Sequence, residues 1–212
     1  MTENIRVFTQ NSIRIDTGAG RIYIDPFKME EDAKDADLIL VTHDHYDHFS
    51  PEDIAKVSKP DTILVVPEKM AKKAEEVSDL VAEIRTVSQT GSIEVLGLTI
   101  ETIPAYNIMK PFHPKKDGCV SYILCTEEGR IYIAGDTDAT DEAKAVRCDI
   151  ALVPIGGTFT MDAKKAAELI NIISPKVAIP VHYGGSVGSP KDGETFAKLV
   201  NDPVRVELKI ER

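Results

Sequence analysis

Short segments in which apolar and polar residues alternate open the chain. Ile13 and Ile15 alternate with polar neighbours, and Ile22 and Ile24 do the same after a glycine-containing turn at residues 17–20. A period of two residues is typical of strands that bury one face, so this pattern predicts an antiparallel hairpin. Similar patterns predict strands at residues 5–8, 84–87, 93–95 and 98–103.

Longer apolar runs and helical patterns follow. Apolar runs predict buried strands at residues 38–41, 62–66, 120–124, 130–134, 150–153 and 177–181, with an edge strand at 204–208. Ser50 and Pro51 are a helix-start signal for residues 51–58, and helical spacing of apolar residues predicts a helix at 162–173. Shorter helices are expected near 68–77, 140–146 and 193–200. Two packed sheets with helices outside fit this order, although other α/β arrangements fit it too.

A cluster of polar residues stands where the predicted strand 38–41 ends. His43, His45, Asp47 and His48 lie within six residues, and alternate residues of an extended segment point to the same side. Imidazole and carboxylate are ligands of first-row divalent metals. A single tetrahedral zinc ion is not expected to take all four of its ligands from so short a segment. The spacing therefore favours two adjacent metals, with His43 and His45 on one and Asp47 and His48 on the other.

Two further strand ends carry the same residue types. The run 130–134 breaks into Gly135-Asp136-Thr137, and the run 177–181 breaks into His182. In this order, the motif His43-x-His45-x-Asp47-His48, then Asp136, then His182 resembles the signature of the metallo-β-lactamase superfamily. The resemblance spans nearly the whole chain. It implies one domain over residues 1–212, with the four-layer αββα sandwich of that superfamily.

The resemblance also implies a role for each ligand. Asp136 would bridge two divalent metals, and His182 would complete the second. Members of the superfamily usually carry a third histidine for the first metal on the loop after the strand that here ends near residue 103, but this chain has Asn107 there. The nearest histidine is His113, which we expect to be the missing ligand. Asn107 or water is the alternative, with His113 then a substrate contact or a plain loop residue.

A binuclear metal-dependent hydrolase is the function that the resemblance implies. A metal-bridging hydroxide would attack a small ester, lactone or phosphodiester, and Asp47 and Asp136 are the expected catalytic carboxylates. Zinc is the expected metal, with manganese and iron as alternatives. The branches that resemble this chain include sugar-phosphate lactonases and phospholipase D-type members acting on N-acyl phosphatidylethanolamines. A diiron redox or oxygen-handling enzyme and a non-catalytic metal-stabilised binding protein are the competing hypotheses; His45 stands where the diiron branch has a glutamate.

The candidate substrate contacts lie on loops. Lys110, Lys115 and Lys116 would overhang the site and could bind an anionic group, although a solvated charge run explains them equally well. Tyr106 and Tyr183 could donate to a developing oxyanion, but packing is the favoured interpretation. Asp25, at the end of a predicted strand, could reach towards the metals, yet a turn residue is the preferred reading.

Composition narrows the class of partner. The net charge of −10 argues against a nucleic-acid backbone as the main partner. The sequence has no apolar run of the roughly 20 residues that a membrane span needs, and the first residues are not an apolar signal core. We therefore expect a cytoplasmic protein with a small-molecule substrate, and a homo-oligomer is possible without a motif behind it.

Overall fold

Two β-sheets form the centre of the computed structural model, which describes residues 1–211. The first sheet has six strands in the order of the sequence: β1 (Ile5–Val7), β2 (Ile13–Thr17), β3 (Gly20–Ile24), β4 (Ala36–Leu40), β5 (Ser58–Pro67) and β6 (Glu83–Val87). Strands β1 to β3 are antiparallel, and β3 to β6 run parallel. The predicted hairpin is present, with Ile13 opposite Ile24 and Ile15 opposite Ile22.

The second sheet has seven strands in the order β13-β12-β11-β10-β9-β8-β7. They are β7 (Gly91–Val95), β8 (Leu98–Pro104), β9 (Val120–Thr126), β10 (Gly129–Ile133), β11 (Ile150–Pro154), β12 (Val177–Val181) and β13 (Arg205–Val206). Strands β7 to β10 are antiparallel to their neighbours, and β10 to β13 run parallel.

Helices cover the outer face of each sheet. Helices α1 (Pro51–Val57) and α2 (Ala71–Ala74) lie on the first sheet, with 3-10 turns at Glu68–Met70 and Glu75–Leu80. Helices α3 (Asp141–Lys144), α4 (Ala163–Ile173) and α5 (Asp192–Leu199) lie on the second sheet. A further 3-10 turn spans Lys115–Asp117. The order helix, sheet, sheet, helix confirms the predicted αββα sandwich.

Local side-chain chemistry explains where these helices begin. Ser50 accepts a hydrogen bond from the backbone N–H of Asp53 and so caps α1, whose first residue is proline. Asp162 caps α4 in the same way through the N–H of Lys165. Apolar residues of α4 that recur at helical spacing are buried against the second sheet.

The main core lies between the sheets. Its side chains come from the alternate positions of the strands that face inward, such as Ile22, Leu38 and Leu40 from the first sheet and Ile131 and Leu152 from the second. The intervening residues pack under the outer helices instead. This arrangement brings strand ends of both sheets to one edge.

The last predicted strand is much shorter in the structure. Residues 204–208 were expected to form an edge strand, but only Arg205–Val206 pair with β12. The chain then leaves the second sheet, and Ile210 forms a bridge with Val7 of the first sheet. The backbone N–H of Glu211 donates to the carbonyl of Val7, so residues 210–211 pair with β1 of the first sheet and do not continue along β12.

Candidate metal centre

All five histidines of the sequence lie together at one edge of the sandwich. The segment after β4 carries three of them, the loop after β8 carries His113, and His182 directly follows β12. The hydrogen bond from the backbone N–H of Val120 to the carbonyl of Thr42 joins the two sheets beside them. The convergence of strand ends predicted from the sequence is therefore present, with the loop after β8 as a fourth contributor.

Three imidazoles form what we call the first ligand group: His43, His45 and His113. His43 Nε2 lies 3.1 Å from His45 Nδ1, and His113 Nε2 lies 3.0 Å from His45 Nδ1. The third distance, between His113 Nε2 and His43 Nε2, is 3.3 Å. The structure thus brings His113 to the position where the sequence pattern lacks a histidine.

Asp47, His48 and His182 form the second ligand group. His48 Nε2 lies 3.3 Å from His182 Nε2, and Asp47 Oδ2 lies 3.4 Å from His182 Nε2 and 3.8 Å from His48 Nε2. His48 and His182 are almost fully buried. They lie on the segments that follow β4 and β12, which belong to different sheets.

Asp136 stands between the two groups. Its Oδ2 is 3.5 Å from His113 Nε2, whereas its Oδ1 is 3.5 Å from His48 Nε2 and 3.3 Å from His182 Nε2. Oδ1 is buried and has no hydrogen-bond donor among residues 1–211. A carboxylate in this position can offer one oxygen to each group.

The donor atoms fit divalent cations. Ligand atoms of a tetrahedral zinc ion at about 2.0 Å from the metal are about 3.3 Å apart. The corresponding distances are 3.0 to 3.3 Å in the first group and 3.3 to 3.8 Å in the second. Lone pairs of imidazole nitrogens that face one another at this distance repel unless a proton or a cation lies between them. The structure therefore has two sets of side chains that could each hold a divalent ion.

Asp25 connects to both groups through hydrogen bonds. Its Oδ2 accepts from His48 Nδ1 at 2.7 Å, from Asn11 Nδ2 at 2.7 Å and from the Thr42 hydroxyl at 2.6 Å. Since the Thr42 proton is given to Asp25, the Thr42 oxygen is left to accept from His43 Nδ1 at 3.0 Å. The Nε2 lone pairs of His43 and His48 then face the ligand groups. The turn-residue interpretation of Asp25 was wrong: this buried carboxylate orients two histidines.

The two groups differ in their electrostatics. Burial lowers the pKa of His43 well below its usual value, and the neighbouring histidines lower it further. At His48 the burial is outweighed by Asp136 and Asp25, which raise the pKa to about 9. Burial alone would raise the pKa of Asp47, but its hydrogen bond to His182 and the charge of His48 hold the pKa well below the usual value.

Asn107 holds the loop that carries His113. Its backbone N–H donates to the carbonyl of His113 at 2.9 Å, and its side-chain Nδ2 donates to the carbonyls of Phe112 at 2.9 Å and Phe159 at 2.7 Å. His113 has a φ of 53°, a left-handed conformation that these bonds maintain. The Asn107 amide nitrogen is thus committed to backbone carbonyls beside the first ligand group.

A pocket of about 340 Å³ opens beside the two groups. It is lined by His45, Asp47, Asp136 and His182, and by residues that sequence reasoning did not single out: Gln10, Tyr46, Phe112, Phe159, Ser186 and Val187. No spacing pattern marks these residues, because they come from five separate loops. Gln10 is 2% exposed, and its backbone carbonyl accepts a hydrogen bond from the backbone N–H of His182 at 2.8 Å.

The five predicted substrate contacts lie outside this lining. The Lys110 ammonium pairs with Asp138 at 2.8 Å, and that of Lys115 pairs with Glu142 at 2.6 Å. Lys116 is exposed on the 3-10 turn.

The two tyrosines also lie away from the pocket. The Tyr106 hydroxyl donates to Glu142 at 2.9 Å, and Tyr183 is buried under the helices of the second sheet. The structure therefore does not bring these side chains to the metal centre.

Comparison with known proteins identifies the family of the chain and supports the fold. The model of the beta-lactamase superfamily domain matches residues 4–182. The UPF0173 metal-dependent hydrolase of Pyrococcus horikoshii is 32% identical over 212 residues, which cover 90% of this chain and 89% of that protein.

Solved structures show the same architecture. A putative metal-dependent hydrolase of Parabacteroides distasonis superimposes with a TM-score of 0.83 at 28% identity, covering 98% of this chain and 93% of the other. CmlA, a diiron beta-hydroxylase of Streptomyces venezuelae, shares the fold with a TM-score of 0.74 at 11% identity, over 97% of this chain and 52% of its own. The chain belongs to the beta-lactamase superfamily.

Proposed function

We propose that the protein is a binuclear metal-dependent hydrolase, with one divalent ion in each ligand group and Asp136 shared between them. The observation that carries this proposal is the position of Asp136, whose two oxygens face different groups at 3.3 to 3.5 Å. Relatives that are named metal-dependent hydrolases support it. An ion in only one of the groups would leave unexplained why the two oxygens of Asp136 face different groups.

Zinc is the metal that we expect. Five of the seven side chains that would bind the ions are imidazoles, the other two are carboxylates, and none is a thiolate. His45 also stands where the diiron branch of the superfamily has a glutamate. Bound divalent ions would lower the pKa of a coordinated water and polarise a substrate oxygen.

The protein side chains have separate roles in this scheme. Asp47 is the more accessible of the two carboxylates that line the pocket, since its side chain is 12% exposed whereas that of Asp136 is 4% exposed. With Oδ2 directed to His182, Asp47 can use its other oxygen to orient a water. Asp25 and Thr42 keep His43 and His48 in the tautomers that present Nε2 to the site.

A small molecule is the substrate that the pocket volume accommodates. The test of the function is hydrolysis of a neutral ester, a lactone and a phosphodiester by metal-free protein reloaded with zinc. We expect hydrolysis of at least one, abolished by chelation and restored by zinc. No hydrolysis with any of the three, together with stability that still depends on the metal, would favour a metal-stabilised binding protein.

The visible spectrum separates the redox alternative. A zinc protein is colourless, whereas a diiron centre absorbs in the visible range. If the purified protein contains iron and shows such a band, the result would contradict the hydrolase proposal and favour the diiron redox enzyme.

A further inference from the structure

One wall of the pocket beside the metal centre is apolar. Phe112 and Phe159, which we call the aromatic wall, pack edge to face with their ring centres 4.7 Å apart. Tyr46 and Val187 add further apolar surface to the lining. The same pocket is lined by the ligand residues His45, Asp47, Asp136 and His182. A substrate bound at the ligand residues would therefore have aromatic and aliphatic carbon beside it.

Asn107 connects the aromatic wall to the first ligand group. The Asn107 amide nitrogen donates to the backbone carbonyls of both Phe112 and Phe159 and lies 3.3 Å from His113 Nδ1. One side chain thus holds the backbone of the two phenylalanines beside a member of the first ligand group, and the rings pack on each other. A wall positioned in this way can select a substrate by shape, because less of its surface has to be ordered when the substrate binds.

Two of the three lysines that were predicted to bind an anionic substrate form ion pairs outside the pocket. Among residues 1–211, no lysine or arginine lines the pocket. Lys110 is paired with Asp138, and Lys115 with Glu142. Lys115 and a hydrogen bond from Tyr106 hold the pKa of Glu142 at about 2, so this ion pair persists at neutral pH. An anionic substituent away from the scissile bond would lose its hydration without gaining a counter-charge from the side chains that line the pocket.

We propose that the substrate is a neutral ester or lactone whose acyl group carries an aromatic or compact apolar substituent that packs on the aromatic wall. This inference rests on the proposed hydrolase function and narrows it, since it disfavours phosphodiesters and charged acyl groups. In the reaction, water adds across the acyl C–O bond. The acyl carbon gains the hydroxyl oxygen, and the leaving oxygen takes up a proton.

Matched esters test the charge preference. Para-nitrophenyl hexanoate and the para-nitrophenyl half-ester of adipic acid have the same leaving group and chain length, but only the second ends in a carboxylate. For the zinc-loaded protein we expect kcat/KM to be at least roughly tenfold higher for the neutral ester, the scale on which apolar pockets discriminate. Equal or faster hydrolysis of the charged half-ester would overturn the proposal.

Variants of the aromatic wall test the contact itself. Phe112→Ala and Phe159→Ala should raise KM for the hexanoate and leave kcat close to that of the unmodified protein, because the wall contributes binding without touching the reacting atoms. Leu199→Ala is the matched control, since Leu199 and Phe112 are both 42% exposed and Leu199 is outside the pocket. If both phenylalanine variants behave like Leu199→Ala, the aromatic wall does not bind the substrate.

A binding measurement separates this inference from the hydrolase proposal. N-benzylacetamide, a neutral amide without a reactive ester, should bind the zinc-loaded protein in calorimetry and bind roughly tenfold more weakly to Phe159→Ala. Binding that follows this pattern without any ester hydrolysis would support the recognition site and contradict the proposed function. Ester hydrolysis with no difference in amide binding between the two proteins would contradict the recognition site and leave the function intact.

Discussion

The two ligand groups are built in different ways. The second group lies on the ends of β4 and β12, is almost fully buried, and contains a carboxylate of its own in Asp47. The first group consists of three imidazoles, and one of them, His113, comes from an irregular loop with a left-handed backbone. Asp136 is the only described carboxylate that approaches the first group within 4 Å. From this difference we expect the second group to bind a cation more firmly than the first, whose geometry depends on one loop.

The largest effect should follow loss of the shared carboxylate. Asp136→Ala removes a donor from both ligand groups at once, so we expect hydrolysis to fall by more than a hundredfold, because even residues that merely orient metal ligands contribute roughly 10 to 100-fold. Steady-state kinetics of the zinc-loaded protein measures the loss. Asp138→Ala is a suitable control, since Asp138 is also buried but pairs with Lys110. Equal losses in the two variants would show that the effect is structural.

Loss of His113 should separate the two groups. His113→Ala leaves only His43, His45 and one Asp136 oxygen for the first ion, whereas every donor of the second group is retained. We expect one of two zinc affinities to fall by at least roughly a hundredfold and the other to change little. Competition with a coloured chelator measures both. A similar decrease in both affinities would contradict the division into two groups.

Asp25→Asn should weaken both groups to a smaller extent. The amide nitrogen of asparagine would face donors from His48, Thr42 and Asn11, so the hydrogen bonds that orient His43 and His48 would be lost. Roughly 10 to 100-fold weaker zinc binding is expected. Asparagine tolerates the φ of 45° at this position, so the backbone is not the cause.

A control variant separates an effect of Asp25→Asn on metal binding from an effect on the stability of the fold. Asp53 is buried and accepts hydrogen bonds from the backbone N–H groups of Lys28 and Met29, away from the ligand groups. Asp53→Asn should lower the melting temperature without changing zinc affinity. If Asp25→Asn behaves in the same way, Asp25 does not orient the ligands.

Asn107→Ala should act on the first group alone. It removes the amide that positions the carbonyls of Phe112 and Phe159 around His113. Because a second bond from the Asn107 backbone to His113 remains, we expect a decrease of less than roughly tenfold in the affinity of the weaker zinc site. The same chelator competition measures it. A larger effect on the tighter site would contradict the assignment of Asn107 to the first group.

The stability of the metal-free protein should depend on pH through His48 of the second group. The pKa of His48 is raised to about 9, so protonation favours the folded state. This contribution to stability is complete below the usual pKa of 6.5 and is lost as the pH rises through 9. The melting temperature of metal-free protein should therefore fall between pH 7 and 9 more steeply than that of His48→Gln. The same slope in both proteins would contradict the prediction.

The sequence predicted the second group better than the first for a physical reason. His43 to His48, Asp136 and His182 each follow an apolar strand, and parallel strands bring their ends to a common edge. His113 follows no strand directly, and its position depends on contacts of Asn107 that no periodicity reveals. Only the resemblance to a known family pointed to a missing histidine in that region.

The peripheral residues were predicted least well. Asp25 looked like a turn residue because its hydrogen bonds to His48 and Thr42 join positions 17 to 23 residues apart. Lys110 and Lys115 looked available for an anionic substrate, yet their carboxylate partners lie about 28 residues further along the chain. Such pairings depend on tertiary packing, whereas the strand pattern is a local property of the sequence. The αββα fold was therefore predictable, and the pocket lining was not.

The central claim is that two divalent ions occupy two ligand groups that share Asp136. The most direct test is to titrate the metal-free protein with zinc, remove the excess and determine the zinc content per chain by elemental analysis. The account predicts saturation at two zinc ions per chain for the unmodified protein and at about one for His113→Ala. Saturation of the unmodified protein at one ion, or retention of two by the variant, would contradict it.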